Sequence, residues 1–360
     1  MRHIRVGIAF KDFACWLMNA SSVGLNVAGY TTAQVLRENG IDATVFPVRH
    51  NVDLVEAIDH YNENHRHPLT HVVISAPWLS VPDLKSLVEN FKNIKFVVLS
   101  HSNVGFLQAD ADGVRLLREY QELEQWHKNL RVGGNSFKFV RWMRTAYGRP
   151  VVYLPNLYPT PKFVWEKRWD GFSTIKIGAF GAVRPYKNFM TAAAASIIIQ
   201  KLLSTPVEFH MSAGGEGDAM MTMPAIEAML ADTGVTLVKH EWSYWNKFIT
   251  LVQEMDLLMQ PSYTESFNLI TADGIASGIP SVVSSAIVWA PDEWKADSDS
   301  AMDVAGVGVQ LLTSKSSDAG IKALTKSNER GIIYWKSFLG IDVTAPERLS
   351  WWKKLLRRMQ

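Results

Sequence analysis

The chain has 360 residues, of which 47% are hydrophobic and 20% charged, and a formal net charge of +2. This length exceeds what one hydrophobic core usually supports, so two domains are expected, and the composition is that of a folded soluble protein. The single cysteine, Cys15, excludes an internal disulfide and fits a reducing, cytoplasmic setting. The N-terminal run goes straight into a strand pattern without the layout of a signal peptide, and no apolar run approaches the ~18 residues of a membrane span. Thirteen tryptophans are many for this length; most are expected in core and interface packing, with stacking on sugars or bases as the sharper use.

Ile4–Phe10 reads as the first strand. A Ser/Gly-containing loop, Asn19 to Gly24, precedes a helical pattern through Glu38, which Asn39-Gly40 ends, and Ala43–Val48 makes the next strand. This strand–loop–helix–strand opening is Rossmann-like, but it lacks the full Gly-x-Gly-x-x-Gly fingerprint of a dinucleotide site. Further strands are expected at His71–Ser75, Lys95–Ser100, Leu130–Val132 and Val151–Leu154, with helices between. Such alternation implies a mostly parallel sheet whose ligands lie off the carboxyl ends of the strands. His101 follows the strand Lys95–Ser100 immediately and therefore points toward that end. Asn135–Tyr147 reads as a helix. The stretch from Lys128 to Arg149 holds six basic residues and no acid, interleaved with Phe137, Phe139, Trp142 and Tyr147. It is either a solvated basic helix with a buried aromatic face or a patch for phosphate or lipid headgroups.

Pro155 to Asp170, rich in proline and aromatics, reads as an interdomain linker. Thr174–Phe180 starts a second Rossmann-like unit ending at Gly181, and Arg184 and Lys187 follow at the start of a long apolar helix. A glycine turn with two cations at a strand-to-helix junction suits a diphosphate. Val207–Ala213 and Val235–Lys239 are strands; Gly214 to Gly217 between them reads as a flexible turn, and Tyr244–Met255 as a helix. Asp256–Gln260 is a short apolar strand bounded by Pro261. Phe267–Ala276 has helical spacing and is stopped by Gly278 and Pro280, and Ser281–Val283 resumes the sheet. Between Ser266 and Pro291 the only charged residue is Asp273, which is costly to bury without a partner. Glu265 sits eight positions earlier, at the loop-to-helix junction. Gly306–Leu312 is expected as a last strand. Near the C-terminus, Thr344 to Glu347 has the spacing of a capping box, and Leu349, Trp352, Leu356 and Met359 recur at helical intervals among basic residues.

Taken together, Pro261-Ser262, Glu265-Ser266-Phe267, Asp273-Gly274 and Gly278-Ile279-Pro280 resemble the donor-binding signature of retaining GT-B glycosyltransferases, family four in particular. That family carries two glutamates at this spacing; here Asp273 takes the second place. It also has Arg directly after the glycine of the second domain's first turn, whereas here position 182 is Ala and the cation is Arg184. Lys187 is in register.

The resemblance implies an α/β chain with the GT-B fold, two Rossmann-like domains with parallel sheets facing a cleft. Residues 1–158 would form the acceptor-side domain and 159–335 the nucleotide-sugar donor domain, with 336–360 a helix crossing back to the first. It implies transfer of a sugar from a UDP- or GDP-sugar with retention of configuration. Glu265 and His101 would act at the donor sugar and Lys187 at the leaving group. Gly181, Arg184, Lys187 and the amides of Ser266, Phe267, Asn268 and Leu269 would bind the diphosphate, Asp273 the ribose, and Gly24 would border the cleft. Trp242 lies where such enzymes hold the base. No metal or further cofactor is expected. The acceptor stays open among carbohydrate, lipid-linked sugar, protein and nucleic acid, and the basic segments are candidates for peripheral contact with DNA or anionic membrane. Other readings are a GT-B epimerase or phosphorylase, and a nucleotide-sugar-binding protein with a degenerate site.

Overall fold

The computed structural model describes residues 3–12, 20–162, 169–213, 218–314 and 318–342, the side chains of 20–22 and 218–221 excepted. The expected turn at Gly214–Gly217, the start of the loop at Asn19, Cys15 and the helix beyond 343 lie outside these residues.

The β-branched and aromatic runs of the first half become β1 (Arg5–Lys11), β2 (Asp42–Val48), β3 (His71–Ser75), β4 (Lys95–Ser100), β5 (Leu130–Gly134) and β6 (Val152–Tyr153). Their connections are the helices α1 (Ala20–Glu38), α2 (Asn51–Asn64), α3 (Val81–Asn90), α4 (Val104–Leu107), α5 (Ala111–Glu124) and α6 (Phe137–Tyr147). The strands pair in parallel in the order β2-β1-β3-β4-β5-β6. Strands such as β3 and β4 are buried on both faces, as helices on both sides require. Arg131, Arg144 and Arg149 of the basic stretch donate to backbone carbonyls of Leu130, Val151 and Gln121, so half of its cations tie loops rather than project freely.

The second half repeats the plan. Its strands are β7 (Ile175–Ala179), β8 (Val207–Ser212), β9 (Thr236–His240), β10 (Leu257–Gln260) and β11 (Ser281–Val283), parallel in the order β11-β10-β7-β8-β9. Its helices are α7 (Phe189–Leu203), α8 (Asp218–Leu230), α9 (Trp245–Gln253), α10 (Leu269–Ala276), α11 (Ala301–Thr313) and α12 (Ala319–Leu339). The architecture is thus α/β, with two parallel sheets of Rossmann type.

Two expectations need correction. Gly306–Leu312 is not a strand but part of α11. Ser300 caps it, its Oγ accepting from the Asp303 amide at 3.1 Å, and Val304, Ala305, Gly308 and Leu312 are buried at helical spacing. Gly308 lies against Ile199 of α7, a close approach that a side chain would obstruct. Gly24, expected in a loop, lies inside α1.

The crossing contact between the halves is made by α12. Ile332, Trp335 and Leu339 join Val6, Ile8 and Val73 in one apolar cluster beneath the first sheet, and the Trp335 indole donates to the Pro155 carbonyl at 3.0 Å. Position 335/336 therefore lies within a continuous helix. The Asn328 side chain accepts from the Tyr158 amide at 3.2 Å and donates to the Tyr158 carbonyl at 2.7 Å, tying the linker to α12.

Each sheet has one point where the chain reverses its direction of strand addition: between β1 and β3 in the first, and between β7 and β10 in the second. Ligands in open parallel sheets bind at the carboxyl ends of such strands. The two points face one another across a single cleft.

Candidate functional site

That cleft is a cavity of about 550 Å³. Lys11, Ala76, His101 and Asn135 reach it from the ends of β1, β3, β4 and β5; Gly181, Ser212, His240 and the segment from Thr264 to Asp273 reach it from the second sheet.

Its central feature is Glu265. The side chain is buried, and one carboxylate oxygen, Oε1, accepts from Lys187 Nζ at 2.6 Å, Ser262 Oγ at 2.9 Å and Asn268 Nδ2 at 2.9 Å. Asn268 also caps α10, its Oδ1 accepting from the Thr271 amide at 2.8 Å. One asparagine thus sets both the carboxylate and the helix start, from a left-handed backbone (φ 69°) that asparagine tolerates better than most residues. The helix begins at Leu269, so Ser266 and Phe267 precede it instead of forming its first turn. The amides of Leu269 and Ile270 are the ones left without an intrahelical acceptor, and the positive end of the helix dipole lies there.

Lys187 is placed by a short 3₁₀ turn, Pro185–Lys187. Asn188 holds the turn's far end, donating to the Pro261 carbonyl at 3.0 Å, and the Tyr263 amide donates to Tyr186 O at 2.9 Å. The cation loop after β7 is therefore stitched to the carboxylate loop after β10. Gly181 has φ 115°, a conformation other residues rarely adopt, and donates its amide to Ser212 Oγ at 3.2 Å. Arg184 lines the same cavity, with its guanidinium 4.8 Å from the ring centroid of Phe106 on α4. This contact links the two halves across the cleft.

Asp273 lies in the second turn of α10 and is only 2% exposed. Its Oδ1 accepts from the Tyr158 hydroxyl and from Trp245 Nε1, the latter at 3.1 Å. Burial pushes the carboxyl up to about 6, against the pull of these two hydrogen bonds, and raises the Tyr158 phenol as well. His101 is committed at both ring nitrogens. Nε2 lies 2.8 Å from Ser75 Oγ and Nδ1 3.2 Å from Asn135 Nδ2. Because Asn135 Nδ2 is a donor, Nδ1 is the acceptor and the proton sits on Nε2. Burial lowers the imidazole to about 4, so it is neutral at pH 7. Gly24 borders the cavity, where a side-chain methyl would sit 3.6 Å from Leu269 Cδ1.

The cavity therefore gathers every singled-out residue, with Glu265 and Lys187 in direct contact and Asp273 and His101 each turned to protein partners. Tyr158, Phe106, Ser75 and Asn135 were not singled out by sequence, and Ser262 appeared there only as part of the signature, without a role. Asn268 appeared there only for its amide, although an asparagine just before an apolar helical run is itself a capping signal. Among the described residues, no three of His, Cys, Asp and Glu come together as a metal site, and no helix is long and apolar enough to cross a membrane.

No protein-family model and no curated protein matches the chain by sequence. Solved structures do match in fold, and they share the GT-B arrangement. An α-glucosyltransferase in complex with UDP-glucose and DNA containing an abasic site superposes with a TM-score of 0.58 at 12% identity, over 91% of this chain and 95% of that one. Anabaena HepE in complex with UDP-glucose gives 0.54 at 15% identity, over 92% and 99%. A mutant of Staphylococcus aureus TarM, in complex with fondaparinux, α-GlcNAc-glycerol and UDP, gives 0.52 at 13% identity. That match covers 75% of this chain, which spans only 55% of the TarM chain.

Proposed function

We propose that the protein is a glycosyltransferase that moves a sugar from a uridine diphosphate donor to an acceptor hydroxyl with retention of configuration. The observation that carries this reading is the Glu265–Lys187 pair at the start of α10, set at the reversal point of the second sheet and facing the first sheet across the cleft. The UDP complexes of the fold neighbours support the choice of donor. In the transfer, the bond from the sugar's anomeric carbon to the diphosphate oxygen breaks and a bond to the acceptor oxygen forms, the acceptor's hydroxyl proton passing to the leaving diphosphate. The sugar passes through a cation-like state while negative charge collects on the leaving diphosphate.

Lys187, Arg184 and the Leu269 and Ile270 amides would hold that charge in a fixed array, which costs no reorganisation at the moment of reaction. Glu265 would orient the sugar and face its developing positive charge. Asp273 would accept from a ribose hydroxyl through Oδ2, since Oδ1 is already engaged. His101, neutral and held on both sides, would present a fixed ring edge to the sugar rather than exchange a proton.

The test is Glu265→Gln, which retains shape but removes the charge. UDP release from a panel of UDP-sugars, with sugar, lipid-linked sugar, protein and DNA acceptors as separate arms, should fall by about 100-fold or more, the scale of losing one preorganised electrostatic group. UDP affinity should change little. Turnover near that of the unmodified protein would show that this carboxylate does not face the reacting sugar.

A further inference from the structure

A three-residue hydrogen-bond relay runs under the far end of the cleft, and the proposed chemistry does not use it. Glu208 and His210 lie two apart on β8 and so share one face of the strand. His210 Nε2 is 3.1 Å from Glu208 Oε2, and His210 Nδ1 is 2.9 Å from His240 Nε2 at the end of β9. The two imidazoles lie edge to edge and nearly coplanar, their planes 13° apart and their centroids 5.1 Å apart, as an in-plane N–H···N bond requires. Burial lowers both histidines, so each is neutral near pH 7.

The tautomers follow link by link. A carboxylate only accepts, so the His210 proton is on Nε2 and its Nδ1 is an acceptor. His240 must then donate from Nε2, which leaves its Nδ1 as a lone pair. Among the described residues this nitrogen has no hydrogen-bond partner, and His240 lines the cavity. Beside it, Trp242 lines the same wall and its indole Nε1 is buried with no acceptor. The wall therefore offers one unused acceptor, the Nδ1 lone pair of His240, while the indole N–H beside it is closed off from the cavity.

The position fixes what would meet that acceptor. Along the second sheet the cleft passes from Glu265 to Asp273, and Asp273 is bonded to Trp245, five residues beyond His240. A donor with its sugar at Glu265 and its ribose at Asp273 extends its base to this wall, where the Phe180 ring packs edge-on to His240 at 6.0 Å.

We propose that His240 is the base-reading residue: its Nδ1 accepts the imide N3–H of uracil. Glu208 and His210 are positioning residues that lock His240 in the accepting tautomer. The inference rests on the nucleotide-donor reading above.

The experiment compares UDP with N3-methyl-UDP by calorimetry. The unmodified protein should prefer UDP by about tenfold or more, as expected when a buried acceptor loses its only donor. His240→Phe keeps a ring of similar shape but has no acceptor. It should lower UDP affinity toward that of the methylated analogue and bring the ratio close to one. A ratio unchanged in His240→Phe would mean that the methyl is rejected by shape alone, and would overturn the inference while leaving the donor site standing. If the unmodified protein binds neither nucleotide, the donor reading falls and this inference with it. For the relay, ring ¹⁵N resonances of the folded protein should show His240 Nε2 protonated and Nδ1 bare. In Glu208→Ala both tautomers should appear, with a smaller preference for UDP. A single unchanged tautomer in that variant would remove Glu208 from the relay.

Discussion

Lys187 and Glu265, 78 residues apart in sequence, meet with Nζ 2.6 Å from Oε1 on the second sheet's side of the cleft. The contact joins the loop after β7 to the loop after β10. Both side chains are largely withdrawn from solvent, at 19% and 7% exposure, so the pair cannot be treated as a surface ion pair. Lys187→Ala leaves Glu265 with Ser262 and Asn268 only. It should lose about tenfold or more in UDP affinity, from a charge-assisted phosphate contact worth roughly 1.5–3 kcal/mol. It should also unfold at lower temperature, because a buried carboxylate has lost its counter-charge. Adding Glu265→Gln to Lys187→Ala should restore part of the melting temperature and none of the UDP affinity. Calorimetry and thermal unfolding on the two variants and the unmodified protein check both halves; UDP affinity unchanged in Lys187→Ala would take Lys187 out of the proposed diphosphate site.

Phe106 meets Arg184 across the cleft, and its ring also packs edge-on against Tyr186 at 6.3 Å. Next to it, a methyl on Gly105 would lie 2.7 Å from the Thr264 side chain, so α4 sits hard against the loop that leads to Glu265. Cation–π contacts are worth about 0.5–2 kcal/mol. Phe106→Ala should lower turnover several-fold with a smaller change in UDP affinity, because it loosens the approach of the first half rather than a phosphate contact. Equal losses in the two would make Arg184's own placement the main effect.

Gly24 is a glycine in a helix interior, where Ala is favoured by about 0.8–1 kcal/mol. The added methyl meets only Leu269 Cδ1, at ordinary contact distance. Gly24→Ala should therefore raise stability by about 1 kcal/mol in denaturant unfolding. If the position borders a bound donor or acceptor, turnover should fall at the same time. A more stable variant with full turnover would make Gly24 indifferent to the reaction.

The strands His71–Ser75, Lys95–Ser100 and Ser281–Val283 could be read residue for residue, because apolar runs bounded by polar or turn residues have few other uses in an α/β chain. The same rule failed at Gly306–Leu312, where a Val-Gly-Val alternation imitates a strand. There the Ser300 cap and the packing of Gly308 on Ile199 decide for helix. At the site, residue types and spacing pointed to Glu265, Lys187 and Asp273 as candidates. Their partners were not legible: Tyr158 lies 115 residues from Asp273, and Glu208 and His210 sit in a strand that reads as ordinary core. Only the packing of one sheet end against a linker, and of β8 beside β9, brings those groups together. α12 could have been read as the crossing element from the helical spacing of Ile332, Trp335 and Leu339.

Asp273 combines the proposed ribose contact with a cost in stability, and the two can be separated by pH. Its carboxyl is pushed from an ordinary 3.8 to about 6 by burial. Because the folded state holds the proton more tightly than the unfolded one, stability falls as pH rises from about 4 to about 6 on account of this group, and stays reduced above. A difference of that size corresponds to about 3 kcal/mol between the protonation states. Asp273→Asn keeps an oxygen to accept from Tyr158 and Trp245 but cannot ionise. It should be more stable than the unmodified protein at pH 7.5, by up to about 3 kcal/mol, and the advantage should shrink to nothing near pH 4. UDP affinity should nonetheless fall, since the amide nitrogen replaces the oxygen that would accept from the ribose. Denaturant unfolding at pH 4, 5, 6 and 7.5 reads the first effect and calorimetry the second. A stability difference that does not vary with pH would mean that Asp273 does not titrate in this window. An unchanged UDP affinity would place the ribose elsewhere in the cleft.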